Sequence, residues 1–178
     1  QTIDELAYAV KMDPLEFRRK NIGGQRWMDV LNAATKAANW VEPARAACEG
    51  ALAINTKVAE AHACLGTVLN GIGQYQKAAE EFDTALNLDS TNDLFYVGLA
   101  NAYEKLDRKT DAEQTYRRAI ALRPHYWAAY SVLGAYFYRT GKPDEALGMF
   151  DQVVKLAPDS FRGYSNLGAA QFAKNDFP

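Results

Sequence analysis

The sequence predicts an all-α protein built as an array of antiparallel helix pairs. The main observation is a pattern that recurs across residues 59–160 with a fixed period of about 34 residues. Leucines recur at this spacing, each followed by glycine or alanine: Leu65, Leu99, Leu133 and Leu167. One helix pair cannot bury its apolar face alone, so the fixed period indicates pairs that stack and share a continuous core.

Alanines and aromatic residues follow the same period. An alanine stands thirteen residues after each of the first three leucines, and an aromatic residue follows four positions later; they are Ala78, Ala112 and Ala146, and Phe82, Tyr116 and Phe150. Small residues allow neighbouring helices to approach closely, while aromatic side chains fill the volume between adjacent pairs. These positions are therefore predicted to form the core.

Three full blocks, residues 59–92, 93–126 and 127–160, are each predicted to form two helices joined by a tight turn. Pro143 occupies the place expected for proline at the first position of a helix. Thr110 and Glu113 have the spacing of a capping box, which predicts a helix start at that point.

The pattern weakens toward both ends. Residues 25–58 are predicted to form a divergent repeat with its second helix at 42–54, and residues 161–178 a truncated repeat with only the first helix. Residues 1–24 are predicted to be a helical segment outside the array. Because the chain lacks an initial methionine and stops inside a block, we expect a piece of a longer protein.

The repeat length, the leucine doublets, the paired alanines and the late prolines resemble the tetratricopeptide repeat over residues 25–178. The resemblance implies a right-handed α-solenoid whose first helices line a concave groove, and a non-catalytic scaffold that binds a protein or peptide there. Three positions depart from the pattern: His62 replaces an aromatic residue, Ser90 a proline and Val153 an alanine.

The resemblance also implies which residues project into the groove. They stand mainly at repeat positions 2, 5, 9 and 12, and the predicted peptide-binding residues are Glu60, Thr67, Asn70, Val97, Asn101, Glu104, Ser131, Tyr138, Arg139 and Arg162. Chaperone-binding members of the family need lysine and asparagine at positions 5 and 9. Only Asn101 matches, so a clamp for a terminal carboxylate is not predicted. A groove of small and amide residues suits an extended or helical peptide, although such residues are also common on plain solvated surface.

Residues 1–41 carry a second resemblance. IDELAYAVKMDPLEFRRKNI and the following RWMDVLNAATKAANW resemble a segment of the molybdopterin-binding subunit of the xanthine dehydrogenase and aldehyde oxidase family. That implies a fusion or chimera, but the cofactor loops and catalytic glutamate of that family have no match, so no cofactor is predicted. Two alternatives remain open: a regulatory or localisation module of a larger enzyme such as a bacterial serine/threonine kinase, and an appendage of a molybdenum hydroxylase.

Composition argues against several kinds of partner. The net charge of −2 and the sequence pI near 5.7 provide no basic excess for nucleic acid or an anionic membrane. No apolar run approaches the roughly 20 residues of a membrane span, and a cytoplasmic location is predicted. Self-association is expected through the truncated repeat, where Tyr164, Leu167 and Phe172 lack a covering second helix.

The sequence offers no catalytic or metal site. Cys48 and Cys64 are predicted to be buried free thiols rather than a disulfide, because no cysteine framework accompanies them. His62 and His125 fall in separate repeats, and His62 occupies a packing position, so a core or half-buried histidine is expected there. The paired acids Glu80 and Glu81, on a second helix, are predicted to lie on a solvated face.

Overall fold

The structure, a computed structural model, describes residues 41–174. The described residues form eight helices and no strands: α1 (Val41–Ile54), α2 (Ala59–Gly71), α3 (Tyr75–Leu88), α4 (Asp93–Lys105), α5 (Lys109–Leu122), α6 (Trp127–Arg139), α7 (Pro143–Leu156) and α8 (Phe161–Lys174). The segment predicted over residues 1–24, the first helix of the divergent repeat and the resemblance over residues 1–41 lie almost entirely outside the described residues.

The chain divides into two compact units, residues 1–47 and 48–178, with the boundary inside α1. Only residues 41–47 of the first unit are described, as the first half of α1. The second unit contains the remainder of α1 and all helices from α2 to α8.

The second unit is a stack of helix pairs. Each helix from α2 to α8 packs on the next one in sequence, and α2 also contacts α4 as α6 contacts α8. We call α2, α4, α6 and α8 the A helices, and α1, α3, α5 and α7 the B helices. This arrangement confirms the predicted all-α array of antiparallel helix pairs. No helix within residues 41–174 has the length and apolarity to cross a membrane.

The turns inside the pairs repeat as regularly as the helices. Gly73, Asp107 and Gly141, each one repeat period apart, all have positive φ angles of 80°, 58° and 72°. The amide of Arg108 donates to the carbonyl of Tyr103 at 2.9 Å, closing the end of α4, and Gln74 makes the same bond at the end of α2. A left-handed residue followed by such a bond is a common way to satisfy the last carbonyls of a helix.

Two predictions about helix starts have different outcomes. Pro143 is the first residue of α7, as predicted. The capping box at Thr110 and Glu113 is wrong, because α5 begins earlier, at Lys109, and no side chain caps it. The Glu113 carboxylate instead accepts a hydrogen bond from Lys142 at 2.9 Å and pairs with Arg117. A charged partner from the next pair thus replaces the local bond that the sequence suggested.

The predicted core positions are buried. Ala78, Ala112 and Ala146 are fully covered, and Phe82, Tyr116 and Phe150 are each 2% exposed. The Phe82 ring lies against Gly66 of α2 and Gly98 of α4, and a Cβ added at Gly98 would overlap that ring. The packing of α3 on both neighbouring A helices therefore requires a small residue at each contact.

The cysteine prediction is wrong. Cys48 on α1 and Cys64 on α2 form a disulfide, with their Cα atoms 5.9 Å apart, which is a normal separation for a disulfide bond. Cys48 is buried, whereas Cys64 is exposed. The sequence spacing of 16 residues gives no direct sign of this pairing, since the two sites meet only because adjacent helices pack.

The prediction of a solvated face for Glu80 and Glu81 is correct for Glu80, which is exposed, and wrong for Glu81. Its carboxylate lies 2.7 Å from Nδ1 of His62, and Nε2 of His62 lies 3.1 Å from the carbonyl oxygen of Thr56. The side chains are only 15% and 27% exposed for His62 and Glu81, so the expected half-buried histidine is present. Both ring nitrogens face acceptors, an arrangement that suits the imidazolium form with its two N–H donors.

Candidate functional site

The predicted binding residues lie on the A helices, along a surface that we call the A-helix face. Glu60 and Thr67 are exposed on α2, Asn101 on α4 and Arg162 on α8. Tyr138 is 44% exposed near the end of α6. These five side chains can reach a ligand without rearrangement of the core.

Other predicted residues are partly engaged in holding the helices together. The Asn70 amide donates to the carbonyl of Gly98 at 3.1 Å, which joins α2 to α4. Its Oδ1 is buried and has no hydrogen-bond partner among the described residues. Val97 is half-buried and packs against the core, and Ser131 is half-buried. Asn70 therefore contributes at least as much to the packing of α2 on α4 as to a ligand-binding surface.

Glu104 and Arg139, both predicted to bind ligand, bind each other. The Arg139 guanidinium donates from Nε to Oε1 at 2.9 Å and from Nη2 to Oε2 at 2.7 Å. Such two-bond pairs combine charge attraction with fixed geometry. The hydrogen bonds to Glu104 raise the pKa of Arg139 above its ordinary value, while burial acts against them. Arg139 is therefore held against α4 and is not an unpaired cation awaiting a carboxylate.

Tyr116 completes this pair from the core side, which the sequence pattern did not predict. Its hydroxyl donates to Oε2 of Glu104 at 3.2 Å. Burial raises the pKa of the Tyr116 phenol well above its ordinary range, and the nearby Glu104 charge adds to this. A sequence signal did exist: Glu104 and Arg139 are 35 residues apart and of opposite charge, so the repeat brings them together on neighbouring A helices.

A small cavity of about 110 Å³ opens beside Arg139. Ala135 and Tyr138 of α6 form one side, and Phe150 of α7 closes it with Asn166 and Ala169 of α8. Apart from Asn166 and Arg139, its walls are apolar or aromatic. Tyr138 was predicted to contribute to binding, whereas Asn166 was not; the recurrence of small residues at 135 and 169 is what leaves the space.

The described residues provide little for metal or acid–base chemistry. No group of three or more histidine, cysteine, aspartate or glutamate side chains within residues 41–174 could hold a metal ion. His125 is exposed in the turn between α5 and α6, while His62 is committed to Glu81 and the Thr56 carbonyl.

Comparison with known proteins identifies the repeat. Two family models match, one described as tetratricopeptide repeat over residues 97–161 and 132–178, and one described as TPR repeat over residues 68–107. Together they cover residues 68–178. The small glutamine-rich tetratricopeptide repeat-containing protein 2 of Saccharomyces cerevisiae is 31% identical over 86 residues, which are 48% of this chain and 25% of that protein. The chain thus spans about a quarter of that relative's length.

Solved structures give the same assignment. A crystal structure of MamA matches with a TM-score of 0.66 and 27% identity, covering 79% of this chain and 82% of that one. The first TPR domain of Spaghetti, bound to the HSP90 peptide SRMEEVD, matches with a TM-score of 0.59 and 26% identity, covering 66% and 94%. The predicted fold class, a right-handed α-solenoid, is confirmed. Over residues 68–178 the chain belongs to the tetratricopeptide-repeat family.

Proposed function

We propose that this chain is a non-catalytic scaffold that binds a peptide or protein segment along its A-helix face. The family supports this, because tetratricopeptide repeats generally mediate protein–protein interactions. The exposed side chains of Glu60, Thr67 and Asn101 on successive A helices also support it, since they could contact an extended ligand along several repeats.

The chemistry of the face favours a ligand that is not anchored by a terminal carboxylate. Spaghetti binds an acidic peptide, but this chain has no lysine at position 5 of any described A helix; Ala63, Val97, Ser131 and Ser165 stand there. Arg139, the cation nearest the cavity, already pairs with Glu104. The proposed ligand is therefore anchored by shape and amide hydrogen bonds.

The strongest structural support for the proposal is the cavity beside Tyr138. A pocket of about 110 Å³ walled by Ala135, Phe150 and Ala169 can take one small aliphatic side chain. The amide of Asn166 at its edge can bond to the ligand backbone. We assign this cavity as the anchor point for an apolar residue of the peptide.

The experiment is a selection of random peptides on the immobilised full chain, followed by affinity measurements on variants. Ala135→Phe fills the cavity and should weaken the selected peptides about tenfold, since an apolar anchor contributes roughly 1–3 kcal/mol. Asn101→Ala should weaken them less. Lys155→Ala, on the exposed side of α7, is the matched control.

Circular dichroism checks the fold of each variant, and Tyr138→Ala provides a second change at the cavity that adds no bulk. Selected peptides that bind all of these variants as tightly as the parent chain would contradict the assignment of the A-helix face.

Two further parts of the proposal concern assembly and location. Of the residues predicted to form the uncovered apolar face, Tyr164 and Phe172 are 52% and 66% exposed, but Leu167 is half-buried against the core, so the prediction is wrong for that residue. Phe161, at 82% exposed, joins Tyr164 on this helix, and the two support association of a second copy through it. The cytoplasmic location predicted from the sequence is opposed by the Cys48–Cys64 disulfide, because such bonds are rare in that compartment. The redox state of these cysteines in cells decides between an oxidising and a reducing location.

A further inference from the structure

A second, larger cavity of about 410 Å³ lies away from the A-helix face, between B helices α3 and α5 with α4 as its floor. None of the predicted peptide-binding residues lines it. Asp83 of α3, Tyr103 of α4, and Thr115 and Arg118 of α5 are among its walls. Its lining is mainly polar, unlike that of the cavity at Tyr138.

At the equivalent position one repeat later, between B helices α5 and α7, other side chains of the chain stand in place of those that line the cavity. One repeat period further along the chain, Arg117, Phe137 and Met149 stand where Asp83, Tyr103 and Thr115 stand. The Arg117 guanidinium lies 5.9 Å from the centroid of the Phe137 ring, and Lys142 lies 5.4 Å from it. Met149 packs against the core there. Two cations therefore approach the Phe137 ring.

Around Tyr103, at the cavity between α3 and α5, only one of those two cations is present. Arg108, the equivalent of Lys142, lies 4.1 Å from the Tyr103 ring centroid and donates to Asp111 at 2.7 Å. The equivalent of Arg117 is Asp83, which is shorter and of opposite charge. Together with Thr115 in place of Met149, this substitution accounts for the open volume.

The Asp83 carboxylate makes no hydrogen bond or ion pair with any residue that the structure describes. Burial raises its pKa above the ordinary value, and the charge of Arg108 acts in the opposite direction. Asp83 thus places a carboxylate beside the Tyr103 ring, whereas Arg117, at the equivalent position of the next repeat, places a guanidinium beside the Phe137 ring.

We propose that this cavity binds the guanidinium of an arginine side chain from a partner protein. The incoming group takes the place relative to Tyr103 that Arg117 takes relative to Phe137, and it pairs with Asp83. A guanidinium gains both from the ring and from a charge-assisted bond to a carboxylate. Arg118, whose counterpart is Gln152, is a competing cation within the same cavity and limits the affinity.

The probe is Nα-acetyl-arginine amide, titrated into the full chain and followed by chemical shifts of backbone amides. Nα-acetyl-citrulline amide, neutral and of nearly the same shape, is the matched probe. We expect the arginine probe to shift amides around Tyr103 and Thr115 at millimolar concentration and the citrulline probe to bind about two- to fivefold more weakly, because Asp83 is exposed and solvent screens its attraction for the guanidinium.

Variants separate the contributions of the cavity walls. Asp83→Asn should weaken the arginine probe about two- to fivefold, whereas Arg118→Gln should tighten it by a similar factor by removing the competing charge. Asp159→Asn, an exposed carboxylate in the turn before α8, should leave the affinity unchanged. Thermal unfolding of each variant shows that its fold is intact.

Three results would overturn the proposal: no shifts around Tyr103, equal affinity for the two probes, or unchanged binding by Asp83→Asn. Weaker binding by Arg118→Gln would also contradict it, since that result indicates an anionic or zwitterionic ligand held by Arg118. Because the cavity and the A-helix face are separate surfaces, peptide binding at Tyr138 can fail or succeed independently.

Discussion

The N-terminal edge of the described array and its middle use the same contacts with different chemistry. Residue 24 of one 34-residue repeat, on its B helix, contacts residue 6 of the next repeat, on its A helix. In the middle this contact is the Phe82 ring lying on Gly98, whereas at the edge it is the disulfide between Cys48 and Cys64, each one repeat period earlier. The repeat determines which positions meet, and the local residues determine what kind of bond they make.

Position 4 of the A helices shows the same contrast. In the later repeats this position is a tyrosine, and the hydroxyl of Tyr130 donates to the Pro124 carbonyl at 3.0 Å. At the edge it is His62, bonded to Glu81 and to the carbonyl of Thr56. At this edge of the described array, covalent and charged contacts stand at positions that aromatic residues and glycine fill in the middle.

The largest effect should follow removal of the disulfide. The Cys48→Ala and Cys64→Ala double variant should lose about 3 kcal/mol of unfolding free energy, the value expected for a loop near 15 residues. Urea unfolding measures the loss. Reductant should destabilise the parent chain by a similar amount and leave the double variant unchanged. Titration of two thiols in unreduced, unfolded protein would instead favour the free cysteines that the sequence suggested.

A smaller loss is expected when the glycine contact in the middle is disturbed. Gly98→Ala forces a Cβ onto the buried Phe82 ring, and such overpacking costs about 1–3 kcal/mol. Gly148→Ala is the matched control, because Gly148 is also within a helix but has no atom within 4 Å of an added Cβ. Alanine should stabilise that position by up to about 1 kcal/mol.

Thermal or urea unfolding of both glycine variants compares their stabilities with that of the parent chain. A Gly98→Ala protein as stable as Gly148→Ala would show that the ring and glycine are not in close contact. Gly98→Ala should cost less unfolding free energy in a Phe82→Leu background than in the parent chain, since the smaller side chain leaves room for the added methyl group.

The smallest effect concerns pH at the edge. Burial lowers the pKa of His62, but its hydrogen bonds to Glu81 and to the Thr56 carbonyl, with the Glu81 charge, raise it overall above 6.5. The folded state thus holds its proton more tightly than the unfolded chain, so this stabilisation is complete below pH 6.5 and disappears as the pH rises through the folded pKa.

Ring chemical shifts of His62 measure that pKa, and urea unfolding at about pH 6 and pH 8 measures the stability on either side of it. In Glu81→Gln the pKa should fall and the pH dependence should shrink. A His62 pKa at or below 6.5 in the parent chain would contradict the ion pair with Glu81.

Much of the site was accessible from the sequence through the repeat register. The A-helix positions of Glu60, Thr67 and Asn101 follow from counting, and these side chains are exposed. The pairing of Glu104 with Arg139 was not predicted, although their spacing of 35 residues and opposite charges are a signal for it, because the period alone does not show which long side chains reach across adjacent repeats. The Thr110 capping box was wrong for a related reason, since Glu113 finds Lys142 and Arg117 rather than a local amide.

By itself the sequence determined the helical array, the turns and the buried alanine and aromatic positions, because a fixed period repeats the same packing contacts and leaves few other ways to bury them. Only the tertiary structure decided that Cys48 joins Cys64, that Glu81 holds His62, and that Asp83 stands unpaired in a cavity among the described residues. Those outcomes depend on distances between neighbouring helices, and on which long side chains reach across them, which no periodic pattern specifies.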